Sequence, residues 1–227
     1  MIDAVVYYSN TGQSKSVASY LAKKLGFTVM NMEQCKENNF HNLVLVFPVH
    51  CQNIPFAVKG FLKAVKINFL TVIATYGKMC YGNVLYEIQK KFGFTIIAAA
   101  YVPCSHAYLD EEYTIDFEQL LPLVEKIKQP TQIQLPKLYK NIFADFFPRL
   151  RSRIGLKIYK NSSCNCCGIC NEHCYLHAIK NGVVNSNCIR CTKCVSLCPS
   201  KALGFKARLP LRIYLRKKQI SKTIIYT

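Results

Sequence analysis

Two identical runs of cysteines constrain this chain more than any other feature. Cys164, Cys167, Cys170 and Cys174 follow C-x2-C-x2-C-x3-C, and Cys188, Cys191, Cys194 and Cys198 repeat that spacing twenty-four residues later. The likeness continues past the cysteines, where CYLHAI (174–179) aligns with CPSKAL (198–203). The chain has 13 cysteines, an odd number, so they cannot all pair as disulfides. Nine crowd between Cys164 and Cys198, whereas Cys35, Cys51, Cys80 and Cys104 are scattered. Such crowding reads as metal ligation rather than a disulfide framework. On spacing alone structural zinc stays open, since paired C-x2-C elements bind Zn²⁺ with four thiolates per ion. Zinc gives no reason, however, for three close thiolates and a distant fourth, arranged twice.

The duplicated pattern resembles the bacterial two-cluster ferredoxin. In that family each 4Fe–4S cluster takes three thiolates from one repeat and its fourth from the other. The resemblance therefore implies one cluster on Cys164, Cys167, Cys170 and Cys198, and a second on Cys188, Cys191, Cys194 and Cys174. It also implies a small α+β domain that folds around its metal. Tyr175 stands where the family usually has proline, and Cys166 is a ninth thiol outside the ligand set.

The first 130 residues are of a different kind. Short apolar runs at 4–9, 27–30, 43–47, 69–76 and 95–102 alternate with helix-length segments at 16–25, 54–67, 81–92 and 115–128, the last interrupted by Pro122. Continuous apolar strands separated by helices predict a parallel sheet covered on both faces. Five strands in this alternation predict a doubly wound α/β fold with the flavodoxin-like order 2-1-3-4-5. At 227 residues and 51% hydrophobic content, the chain has ample material for such a core. The longest apolar run falls short of the roughly 18 residues of a membrane span. No charged segment followed by an apolar stretch precedes the first strand, so no secretory signal is expected.

Ser9, Asn10, Thr11, Gly12, Gln13 and Ser14 lie between the first strand and the first helix. Free N–H groups at a helix start favour an anion, hydroxyls add donors, and Gly12 lets the backbone approach closely. The loop has neither a P-loop lysine nor the G-x-G-x-x-G of a dinucleotide site. It matches the flavodoxin phosphate motif S/T-x-T-G-x-S/T, and residues 1–130 resemble a flavodoxin domain. That resemblance implies FMN, with its ring over the loops after the third and fourth strands. Those loops supply Pro48, Val49, His50, Cys51 and Asn53, then Thr75, Tyr76, Gly77, Tyr81 and Gly82. With no tryptophan in the chain, Tyr76 or Tyr81 is the expected stacking partner of the ring. His50 and Cys51 have no third, orienting group and are read as loop lining rather than as a nucleophile and its base.

The resemblances together cover residues 1–130, a flavodoxin-like FMN-binding domain, and 161–205, a two-cluster ferredoxin-like domain. They match flavodoxin–ferredoxin fusion proteins of anaerobes and imply an electron carrier that converts between one- and two-electron partners. The alternative is a flavin-dependent oxidoreductase of a small substrate, fed by the clusters. Between the domains, residues 131–160 read as a basic linker with helical pieces, carrying Arg149, Arg151, Arg153, Lys157 and Lys160. Residues 206–227 read as a basic tail. Residues 137–227 hold 18 Lys/Arg against 2 Asp/Glu, while residues 1–136 hold 12 against 10. This asymmetry predicts an acidic redox protein as partner, or an anionic membrane surface. Charge alone is a weak argument for nucleic acid. The thiolates and the missing signal lead us to expect a reducing cytoplasm.

Overall fold

In the computed structural model, residues 1–109, 111–145, 148–217 and 219–227 are described, with backbone alone for 148–151. The side chains of Arg149 and Arg151, and all of Lys218, thus lie outside the described residues. The chain divides into two units, one of residues 1–141 and 219–227, the other of residues 142–218.

In the first unit the apolar runs become β1 (Ile2–Tyr7), β2 (Thr28–Asn31), β3 (Asn39–Pro48), β4 (Lys66–Tyr76) and β5 (Ile96–Pro103). Helices α1 (Gln13–Leu25), α2 (Phe56–Ala64), α3 (Val84–Phe92) and α4 (Leu121–Lys128) connect or follow them. Period-2 alternation divides the strands between two cores. Val6, Leu45 and Val72 face α2 and α3 in one, whereas Val5, Val44 and Ile73 face α1 and α4 in the other. Each fully buried Leu, Ile or Val contributes about 1.5–3 kcal/mol of transfer free energy. Pro122 sits in the first turn of α4, where its missing N–H costs nothing. The segment before it is a separate 3-10 turn, Phe117–Leu120.

The sheet has six strands in the order β10-β5-β4-β3-β1-β2. The five expected strands take the order 2-1-3-4-5 and are parallel. The expectation of a five-stranded, wholly parallel sheet is corrected by β10 (Ile224–Tyr226), which pairs antiparallel with β5. All eight residues of β5 are buried, so an unpaired β5 would be a long apolar edge prone to association. The chain's last residues cover it. Residues 131–141 also lie on this unit. Gln89 clamps the backbone there, donating from Nε2 to Ile133 O (2.8 Å) and accepting from Leu135 N–H (2.9 Å).

The second unit contains α5 (Pro148–Gly155), β6 (Leu156–Lys160), α6 (Ile169–Glu172), β7 (Ile179–Lys180), β8 (Val183–Val184), α7 (Lys193–Ser196), β9 (Leu203–Ala207) and α8 (Leu209–Leu215). Its backbone repeats with the cysteines. Helices α6 and α7 start twenty-four residues apart, and so do left-handed residues Cys166 (φ 56°) and Arg190 (60°), and His177 (48°) and Lys201 (49°). The two ladders cross between halves. Lys160 pairs with Leu203 as Val184 pairs with Ile179, and Asn161 N–H donates to Ala202 O as Asn185 N–H donates to Ala178 O, both at 2.9 Å. Each half thus completes the other around a local twofold relation.

Candidate functional site

Three loops at the C-terminal ends of β3, β4 and β5 meet the β1–α1 loop, the place where open α/β sheets bind ligands. In the β1–α1 loop Gly12 has φ 91°, and a Cβ built there meets nothing within 4 Å, so its backbone faces open space. No side chain caps α1, and no acid lies in its first turn. The first N–H groups of such a helix lack intrahelical acceptors and carry the positive end of its dipole. Ser9 Oγ accepts from Gly12 N–H at 3.1 Å, which holds the turn closed. Thr11 is exposed and Gln13 half-buried at the mouth. Ser14 instead turns inward, its hydroxyl 2.8 Å from that of Thr75 on β4.

The loop after β3 is a tight hairpin. His50 and Asn53 exchange both backbone hydrogen bonds (3.0 and 2.8 Å), and Cys51 and Gln52 between them have φ of 50° and 67°. Two consecutive left-handed residues other than glycine cost roughly 1–3 kcal/mol each. Strain of this order is characteristic of ligand loops. Asn10 Nδ2 donates to His50 Nε2 at 2.8 Å, joining this hairpin to the first loop. Burial lowers the His50 pKa to about 4, so the ring is neutral and its Nε2 is free to accept. Val49 N–H donates to Thr75 O at 2.8 Å, so Pro48 and Val49 lead from β3 straight into the hairpin beside β4.

The loop after β4 packs on its neighbours through glycine. A Cβ on Gly82 would come 2.8 Å from Gln52 O, and one on Gly77 would come 2.7 Å from the His106 ring. Of the two tyrosines expected to stack on a flavin, Tyr76 does not have a free face. It is 1% exposed, its hydroxyl donates to Lys222 O at 2.6 Å, and burial pushes its phenol well above the usual range. Tyr81 keeps a partly exposed ring, packed edge-on to Tyr76 and tilted on Tyr101. Gln52 and Lys78 sit within the loops after β3 and β4, and two residues from the loop after β5 adjoin them: His106 against Gly77, and Tyr108 against the His106 ring. Lys78 is 6% exposed, paired with Glu111 at 3.3 Å and set over the Tyr113 ring. His106 is lowered to about 4, first by burial and then by Lys78.

In the second unit, among the described residues, no group of three or more His, Cys, Asp or Glu is set to hold a metal ion. A single ion draws its thiolates to about 2.3 Å, whereas an iron–sulfur cube stands between them and keeps them apart. Cys164, Cys167, Cys170 and Cys198 line one open pocket, together with Cys166, Asn181 and Gly182. Those four are the set that the crossed pattern assigns to one cluster, and four thiols around a shared space fit its chemistry. Cys188 is buried with Ile158 and Ala178, and Cys174 and Cys194 pack against them. Burial raises the Cys194 thiol to about 12, and Cys191, Cys188, Cys174 and Cys170 nearby push it the same way. Cys191, raised to about 11 by burial, feels Cys188 and Cys174 too. Cys174, Cys188, Cys191 and Cys194 are thus one group, next to the first through Cys170. Ala178 N–H donates to Cys174 Sγ at 3.2 Å. The Cys198 thiol is held below its usual pKa chiefly by the Ser200 hydroxyl, then by backbone N–H groups of Leu203, Ala202 and Ser200.

No family model and no curated protein matches this chain. Solved structures similar to it include a short-chain flavodoxin associated with a non-canonical PDU bacterial microcompartment, 20% identical with a TM-score of 0.41, covering 57% of this chain and 98% of that one. Another is a flavodoxin from the domain Archaea, 15% identical with a TM-score of 0.40, covering 56% and 99%. The flavodoxin-like fold of the first unit rests on its strand order rather than on these scores. No helix among the described residues is long and apolar enough to cross a membrane.

Proposed function

We propose that this chain is an electron-transfer protein with FMN in its first unit and two 4Fe–4S clusters in its second. The observation that carries the reading is the repetition of backbone, ladders and thiols at an offset of twenty-four residues, with Cys164, Cys166, Cys167, Cys170 and Cys198 around one pocket. When bound, FMN supplies one- or two-electron transfer and each cluster one-electron transfer.

The residues divide the work as follows. Backbone N–H groups of Asn10, Thr11, Gln13 and Ser14 would hold the phosphate, with the turn closed by Ser9 and Gly12, the Thr11 hydroxyl beside them and the uncapped α1 behind. Pro48, Val49, His50, Cys51 and Asn53, with Gly77, Tyr81 and Gly82, would border the ring, and Thr75 braces the loop from below through Ser14. Neutral His50 orients Asn10 rather than moving a proton. Cys164, Cys167, Cys170 and Cys198 would ligate one cluster, and Cys174, Cys188, Cys191 and Cys194 the other. The Ser200 hydroxyl and the backbone N–H groups around Cys198 favour the thiolate form that ligation needs.

The second unit is strongly basic: residues 142–218 hold 15 Lys/Arg against 2 Asp/Glu. Such a surface favours an acidic redox protein as the external partner. The test is anaerobic purification of the full chain with iron, sulfide and flavin counted. About eight irons and one flavin per chain are expected; a colourless chain, or one holding only zinc, overturns the reading.

A further inference from the structure

The two cysteine loops share a backbone but not a surface. In the first, Asn165, Cys166 and Cys167 are exposed, and the pocket bordered by Cys164, Cys167, Cys170 and Cys198 opens between them and Gly182. In the second, the equivalent stretch is enclosed. Cys188 is 9% exposed, Arg190 9% and Thr192 3%. Arg190 takes the place of Cys166, and its Nε donates to Leu156 O at 3.2 Å, closing the loop against the unit's own strand. Thr192 takes the place of Gly168, and its hydroxyl donates to Cys191 O at 2.7 Å. A duplicated fold has thus been given one open end and one closed one.

The rim of the open end is charged. The Lys160 side chain lies along Gly182, and its Nζ donates to Asn181 O at 3.1 Å. Lys180 and Lys201 adjoin the lining residues Asn181 and Ser200, and all three lysines are exposed. One carboxylate, Glu172, lies near Gly168. We infer that the open group, Cys164, Cys167, Cys170 and Cys198, is the end at which an acidic electron carrier docks, guided by Lys160, Lys180 and Lys201. The group around Cys194, with Cys188 buried, is the more enclosed of the two. Electron exchange falls steeply with distance, so the cluster nearer the surface dominates transfer to a second protein.

This rests on the reading of two clusters, and the test separates the two. The full chain is loaded anaerobically, its iron counted, and its reduction by an acidic plant-type [2Fe–2S] ferredoxin followed by stopped flow at about 0.1 M ionic strength, where the Debye length is about 10 Å. Relative to the unaltered chain, the pair Lys180→Glu and Lys201→Glu is expected to slow reduction about tenfold, the lower range of electrostatic steering. The pair Lys157→Glu and Lys206→Glu alters net charge equally on the paired strands β6 and β9, and is expected to change the rate less than about twofold, as screened distant charges do. Equal slowing by both pairs, or by neither, overturns the inference while about eight irons leave the cluster reading standing. Absence of iron removes that reading and this one with it.

Discussion

Ser14 Oγ and Thr75 Oγ1 lie 2.8 Å apart, both buried, and join the first turn of α1 to the end of β4. Because Thr75 also anchors Val49 through its carbonyl, one residue braces the loops after β1 and β3 together. Removing either hydroxyl leaves its partner buried without that hydrogen bond, at about 1–3 kcal/mol. Ser14→Ala and Thr75→Val are each expected to cost that much in urea denaturation. The double variant should cost about 1 kcal/mol less than their sum, because no orphaned hydroxyl remains. Strict additivity would show that the two do not interact.

The pH dependence of stability has a definite sign. His50 and His106 have pKa values near 4 in the fold, against an ordinary 6.5. Between those values the unfolded chain binds more protons, so stability is full above about pH 6.5 and is lost as pH falls toward 4, at up to about 1.4 kcal/mol per pH unit for each histidine. Thermal melts from pH 7 to 4.5 should show this slope, and His50→Gln should reduce it. An unchanged slope in that variant would mean that His50 is protonated in the folded chain.

Much of the first unit is legible from local pattern, and what is missed is missed for physical reasons. Continuous apolar runs mark β3 to β5 because both faces of a central strand are buried. The three residues of β10 carry no such signal; what places them is the apolar edge of β5, more than a hundred residues earlier. Of the two tyrosines offered as stacking partners, Tyr76 shares the period-2 face of Leu70, Val72 and Ala74, and that alternation points it into the core. His106 lies outside the expected loops, and its burial with Lys78 depends on loops from different strands closing over one another. The cysteine spacing, by contrast, is local chemistry, and the backbone repeats with it at the same offset of twenty-four residues.

The terminal strand should act as a cover. Ile224–Tyr226 pairs with Tyr101, Ala100 and Ala99, and Tyr76 holds Lys222 just before it. Tyr76→Phe is expected to cost about 1–2 kcal/mol for the lost hydrogen bond. Removing residues 219–227 should add concentration-dependent association, seen by light scattering, as β5 becomes an open edge. A truncated chain that stays monomeric at high concentration would argue that β5 has other protection.

The two units differ most in what holds them together. The first has two extensive apolar cores, one on each face of its sheet. Among the described residues the second has one small cluster, its buried members Ile158, Ala178 and the proposed ligand Cys188, with Leu156, Ile179, Ala202, Leu203 and Leu215 buried outside it. So little apolar burial cannot offset the conformational entropy of ordering such a unit, at roughly 1–2 kcal/mol per residue for the backbone alone. On the proposed reading, bound clusters would make up the difference, as metal does in other small metal-dependent folds. Anaerobic chelation is therefore expected to unfold residues 156–207 and leave the sheet intact. Hydrogen exchange reads both at once. Amides of β6, β9 and the loops between them should lose protection on iron removal, whereas those of β3, β4 and β5 keep theirs. Persistent protection of β6 and β9 in the stripped chain would show that packing alone suffices, and would weaken the case that these eight thiols evolved to hold a cofactor.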